Sequence, residues 1–141
     1  MEENLKKDYI DNLLSEYVES LDFIGIDMRY LLHFTRGLSS FEIIKVSGLS
    51  NQIVELLSQA ISSMKEVIEG RAIARYFFMF KFPENYAPRC KQMEQIVQMI
   101  NAFQDYCNSD DGEMHFFENC NALQMGHLEV IAVLGFDDDV V

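Results

Sequence analysis

The chain has 141 residues, 11 of them basic and 23 acidic, for a net charge of −12 at neutral pH. This length favours one domain, and an apolar content of 49% is enough for a sizeable core and argues against disorder. The charge excludes counterion-release binding to nucleic acid over the whole surface, although an acidic protein can still touch DNA through a local patch or a basic partner.

Other counts narrow the class further. Trp is absent and Pro occurs only 2 times, which disfavours a many-turned β fold. Cys90, Cys107 and Cys120 form an odd set without a CxxC or CxxH pair, so reduced thiols are expected rather than a disulfide framework. His33, His115 and His127 are scattered without zinc-ligand spacing, and neither a metal nor a cofactor is expected. The opening MEENLKKDYIDN lacks the apolar core of a signal peptide. No apolar run reaches the ~18 residues of a membrane span. The expectation is an acidic cytoplasmic protein.

In chain order, Leu5, Tyr9, Leu13 and Tyr17 recur at four-residue steps, with Ile10, Leu14 and Leu21 beside them. This predicts an amphipathic helix over 5–21, punctuated by Asp22 and Gly25. A short helix follows over 27–37, with Asp27 as N-cap and Gly37 as stop. Ser39 and Ser40 cap a short helix FEIIKV that Gly48 closes. Ser50 caps the most strongly periodic helix, whose face is Ile53, Leu57, Ala60, Met64, Val67 and Ile68, and Gly70 ends it. Residues 71–82, RAIARYFFMFKF, alternate too poorly for a half-buried strand and read as a helix running into an extended segment. Pro83 and Pro88 bracket a loop. A helix restarts over 90–106, with Met93, Ile96, Val97, Ile100 and Phe103 inward, and NSDDG at 108–112 is a turn. From about 113 the chain reads as helical in two pieces around Gly126.

The expected fold is therefore all-α: about six helices with a helix-turn-helix-like pair and one short extended aromatic segment. Residues 1–107 form the helical core and oligomerisation region, and 108–141 an acidic C-terminal helical extension.

Charge is unevenly spread: net −6 over 1–70, +4 over 71–91 and −10 over 92–141. Any phosphate-facing surface should lie on Arg71, Arg75, Lys81, Arg89 and Lys91. The alternative is that these five residues balance an acidic helix or subunit. Within 39–62, Gly48-Leu49-Ser50 sits between Glu42-Ile43-Ile44 and a helix anchored by Val54 and Leu57, as in a helix-turn-helix. Asn51 and Gln52 are the side chains there that can read adenine. Glu55, and the lack of Arg or Lys on that helix, argue instead for a packed αα-hairpin.

No nucleotide-binding glycine pattern, metalloprotease motif or nucleophile elbow is present, and the chain is not expected to be an enzyme. DDGE lacks the spaced ligands of a calcium loop and reads as a solvated turn. His33 reads as a packed histidine, and the cysteines as small core residues. Tyr76, Phe77, Phe78, Phe80 and Phe82 place five large rings in seven residues. Each ring buried contributes about 2 kcal/mol, so these rings form either an aromatic core segment or a partner interface.

On these residues the chain resembles a family. IDMRYLLHFTRGL (26–38) is similar to the opening helix of FlhD-type transcriptional activator subunits, GLSNQIVELLSQAISSMKEV (48–67) to their glycine-hydrophobic turn and following helix, and Phe80-Lys81-Phe82 to their aromatic-basic-aromatic triplet. MEQIVQMINAF (93–103) is similar to a later helix of the family. The resemblance implies an all-α subunit that forms a homodimer and a hetero-oligomer with a basic FlhC-like partner. That partner supplies the zinc site and much of the DNA contact, and the complex binds promoter DNA and recruits RNA polymerase. The expected function is thus a DNA-binding transcriptional co-activator subunit, with no membrane role. The alternative is an acidic inhibitor, encoded by a phage or mobile element, that blocks a nucleic-acid site on a host enzyme.

Overall fold

Helix α1 spans Glu3–Ser20, strand β1 Ser40–Leu49, helix α2 Ile53–Ile68, strand β2 Ile73–Lys81, helix α3 Cys90–Cys107, strand β3 Gly112–Phe117 and strand β4 His127–Phe136. A 3₁₀ turn, Ser50–Gln52, joins β1 to α2. This computed structural model describes residues 2–20, 34–83, 86, 88–107, 109, 111–118 and 126–137. The helix expected over 27–37 falls largely outside them, as do His33 and Cys120.

The four strands form one sheet in the order β1-β4-β2-β3. β4 is antiparallel to both β1 and β2, and β2 runs parallel to β3. A parallel neighbour needs a crossover, and α3 lies in the connection between β2 and β3. The all-α expectation is thus corrected to a mixed sheet with helices on both faces.

Three segments carry the correction. FEIIKV forms strand β1, where β-branched Ile43, Ile44 and Val46 suit a pleated surface better than a helix. RYFFMFK lies in strand β2. Its poor alternation follows from burial on both faces: Tyr76, Phe78, Phe80 and Phe82 enter one core while Phe77 and Met79 enter the other. The C-terminal part expected to be helical supplies β3 and β4, and β4 is a central strand. Its run LEVIAVLGF is nearly continuous in apolar residues for the same reason.

Two cores sandwich the sheet. On one face α2 and α3 pack Ile53, Leu57, Met64, Ile96 and Phe103 against Tyr76, Phe78, Phe80, Val130 and Leu134. On the other, α1 packs Ile10, Leu13, Leu14, Tyr17 and Val18 against Phe41, Phe77, Met79, Ile131 and Val133. The 3.6-residue stripe of α1 and the clean face of α2 are therefore matched to opposite sides of one sheet. Gly70 ends α2 as expected, at a φ of 80° that a side chain would disfavour. Ser50 does not cap α2 directly. It opens the 3₁₀ turn, and Gln52 in the cap position makes no side-chain cap bond. No described helix is long and apolar enough to cross a membrane.

Candidate functional site

The structure scatters the residues singled out for DNA or partner contact. Asn51 and Gln52 are exposed on the 3₁₀ turn, and Arg89 and Lys91 are exposed at the start of α3. Arg71 lies half-buried against the chain: it donates to Ser40 Oγ at 2.8 Å, stands 3.6 Å from Glu42 Oε1 and stacks 3.7 Å from the Phe136 ring centroid. Arg75 donates to the carbonyls of Phe34 (2.7 Å) and Arg36 (3.0 Å) and pairs with Asp111 at 3.5 Å. Lys81 Nζ lies 5.6 Å from the Phe117 ring. These three cations are engaged by the chain's own carboxylates, carbonyls and rings.

The five rings named for a partner interface lie in the interior. Tyr76, Phe77, Phe78, Phe80 and Phe82 are at most 2% exposed. Tyr76 and Phe78 meet Phe103 of α3 edge-on, at 5.1 and 5.7 Å. The helix-turn-helix reading is also corrected. Its first helix is strand β1, so this segment holds no helix pair to present a recognition helix. The all-α fold implied by the FlhD-type resemblance is absent with it.

A buried polar group lies on β3. His115 is 8% exposed, with its ring 5.0 Å from Tyr17 and 5.7 Å from Phe77. Its Nε2 stands 3.0 Å from Glu113 Oε2, yet the geometry makes no hydrogen bond. The contact is one of charge and dipole only. Burial pushes the Tyr17 phenol above its ordinary value against a hydrogen bond from the Phe116 backbone, and Glu118 and Glu113 add to the rise. Among the described residues no three His, Cys, Asp or Glu groups are placed to hold a metal ion. Cys90 is exposed, and burial raises the Cys107 thiol above its ordinary value.

The outer edge of β1 is an end of the sheet. The N–H of Phe41 donates to Glu3 Oε2 at 2.9 Å, and its C=O accepts from Lys6 Nζ at 3.0 Å. Glu3 and Lys6 also pair with each other at 3.1 Å. Both backbone groups of Phe41 therefore face away from β4. Backbone direction alternates along an antiparallel strand, so Ile43, Lys45 and Ser47 turn their N–H and C=O the same way. No described strand lies beyond them. An open groove of about 360 Å³, lined by Lys6, Tyr9, Glu42, Ile43 and Lys45, runs along this edge. Lys45 Nζ sits 4.3 Å from the Tyr9 ring centroid.

No protein-family model and no curated protein matches the chain. Solved structures do. The chain is similar to CetZ2 from Haloferax volcanii, solved as a GTPγS-bound protofilament, with a TM-score of 0.51 and 12% identity over 78% of this chain and 33% of that one. Two structures of 2C-methyl-D-erythritol-2,4-cyclodiphosphate synthase, one in a CDP-bound form, align at a TM-score of 0.34 and 12% identity. They cover 57% of this chain and 50% of theirs, too loose a match to support an argument. The chain thus spans about a third of CetZ2 and half of the synthase, and the CetZ2 likeness concerns fold alone.

The β1 edge is hidden in a sequence whose FEIIKV segment reads as a helix. The alternation Phe41, Ile43, Lys45, Ser47 against Glu42, Ile44, Val46 was the signal for a strand with two different faces. Glu3 and Lys6, three residues apart on α1, carried a second signal: one turn of helix that can both accept from and donate to a strand edge.

Proposed function

We propose that this chain is a protein-association domain that acts by strand addition at the outer edge of β1, without turnover of a substrate. The observation that carries the reading is the contrast along that edge. Phe41 is closed off by Glu3 and Lys6, whereas Ile43, Lys45 and Ser47 have no described strand beside their outward backbone groups, and Ile43 and Lys45 line a groove. Exposed strand edges are templates for another strand, and proteins usually blunt them along their length. The CetZ2 likeness gives secondary support. CetZ2 was solved as a protofilament, so this fold occurs in a protein that assembles, although fold alone does not carry function. The expected promoter-binding role draws no support from the helix-turn-helix segment, and three of its five expected cations, Arg71, Arg75 and Lys81, are engaged by groups of the chain itself.

The test is photo-crosslinking in native cells, with the reactive group placed at Ser47 and, as a control, at exposed Gln59 on α2. Adducts should form from Ser47, be absent from Gln59, and vanish in Ile43→Pro. Proline there removes an outward N–H and none of the hydrogen bonds to β4; it also removes the Ile43 side chain packed against the α1-side core, so Ile43→Ala, which loses that packing but keeps the N–H, is the matched control. Adducts from both positions, or adducts that survive Ile43→Pro, would move docking away from the edge.

A further inference from the structure

The groove beside β1 carries a charge pattern that selects its occupant. Of the three charged side chains that line it, Glu42 stands 3.6 Å from Arg71. Lys6, on α1, and Lys45, on β1, remain. Lys6 is partly neutralised by Glu3, whereas Lys45 is exposed and, among the described residues, lies over the π face of Tyr9 with no carboxylate paired to it. Ile43 and Tyr9 supply the apolar lining between them. The local balance is therefore cationic on a chain whose net charge is −12.

We infer that the β1 edge binds an extended peptide segment of a partner protein that places a carboxylate opposite Lys45 and an apolar side chain two positions away, over Ile43. This rests on the docking role of β1 proposed above. The physical basis is that cross-strand neighbours of opposite charge stabilise pairing and like charges oppose it. Side chains two apart on a strand share a face, so an acid and an apolar residue at that spacing both reach the groove. The Glu3–Lys6 bracket at Phe41 sets one end of the added strand, leaving Ile43 to Ser47 as the pairing window. A second copy of this chain is a poor occupant. An antiparallel pairing that uses Ile43, Lys45 and Ser47 on both copies sets Lys45 directly against its equivalent, and a lysine in the middle of an edge is a common device against self-pairing.

The experiment uses the full chain and two synthetic seven-residue peptides of alternating valine and threonine, one centred on glutamate and the other on lysine. Binding is read by fluorescence anisotropy. The glutamate peptide should bind at least about fivefold more tightly than its lysine twin, which is the order expected when an attractive cross-strand pair becomes a repulsive one. The preference should reverse in Lys45→Glu, an exposed change that leaves the core intact, and both peptides should lose binding in Ile43→Pro. Equal affinity for the two peptides overturns the acidic-partner assignment while leaving the docking edge standing, provided Ile43→Pro still abolishes binding. No binding of either peptide at about 1 mM, or binding indifferent to Ile43→Pro, overturns the assignment. So does a dimer in sedimentation that Ile43→Pro disperses, which makes the occupant a second copy. Edge crosslinks that persist without peptide binding separate failure of the assigned chemistry from failure of the docking role.

Discussion

The carboxylate of Glu3 accepts the backbone N–H of Phe41 at 2.9 Å, so the first turn of α1 closes the start of an otherwise open strand edge. The Glu3 side chain is 45% exposed, and its bonds are correspondingly screened. Glu3→Ala should lower stability by about 1 kcal/mol, the scale of one partly exposed hydrogen bond. Glu3→Gln, which keeps an acceptor, should cost less. Urea unfolding of both variants checks the order. A Glu3→Ala chain that unfolds like the parent would show that the bracket contributes nothing.

The rings of β2 make a separate prediction. Phe78 is fully buried and meets Tyr76 and Phe103 edge-on, at 5.9 and 5.7 Å. Phe78→Ala should cost about 3–5 kcal/mol, a large part of a domain's stability. Its readout is a lowered denaturation midpoint, not a weakened complex with an intact fold. A variant that folds normally but loses a partner would return these rings to an interface.

The helices of this fold were easier to read than its sheet. α1, α2 and α3 each bury one face, so their apolar residues repeat with a helical period, and α2 was legible from Ile53 to Ile68. β2 and β4 are covered on both faces, and a strand buried twice over loses the alternation that identifies it. Only the β-branched run of Val130, Ile131 and Val133 hinted at the central strand. The candidate site was illegible for a different reason. An open edge consists of backbone groups, and its vacancy depends on which strand lies beside β1, a fact of topology. The basic residues 71–91 stand out in sequence, but the partners of Arg71 and Arg75, Glu42, Phe34 and Asp111, are distant in sequence and meet them only in the fold.

Three weak acids, buried Tyr17 and half-buried Tyr86 and Cys107, bear on the stability of the fold at alkaline pH. Burial raises Cys107 above its ordinary 9.0 and Tyr17 and Tyr86 above their ordinary 10.0. In each case the folded state holds its proton to higher pH than the unfolded state does. Between the two values the unfolded chain binds fewer protons, so stability falls as pH rises. The contribution is complete below pH 9.0 and is lost progressively above 9.0 for Cys107 and above 10.0 for the tyrosines. Thermal midpoints measured between pH 8 and 11 should fall most steeply beyond 10.0, and Tyr17→Phe should flatten that decline. An unchanged slope in Tyr17→Phe would assign the loss to other groups.

Gly112 opens β3 opposite Tyr76, in the parallel register that joins β2 to β3. A Cβ on Gly112 would run into the Tyr76 ring, whose atoms occupy that space. The ring cannot move aside freely, because it is buried against Phe78 and Phe103. Gly112→Ala should therefore behave as overpacking, with a cost of about 1–3 kcal/mol. A strand residue with a Cβ is ordinarily preferred over glycine, so the two effects have opposite signs and the measured change decides between them. A lowered unfolding midpoint confirms the tight fit of Tyr76 over the start of β3. A raised one means that the ring swings clear and that the β2–β3 junction is looser than its packing implies.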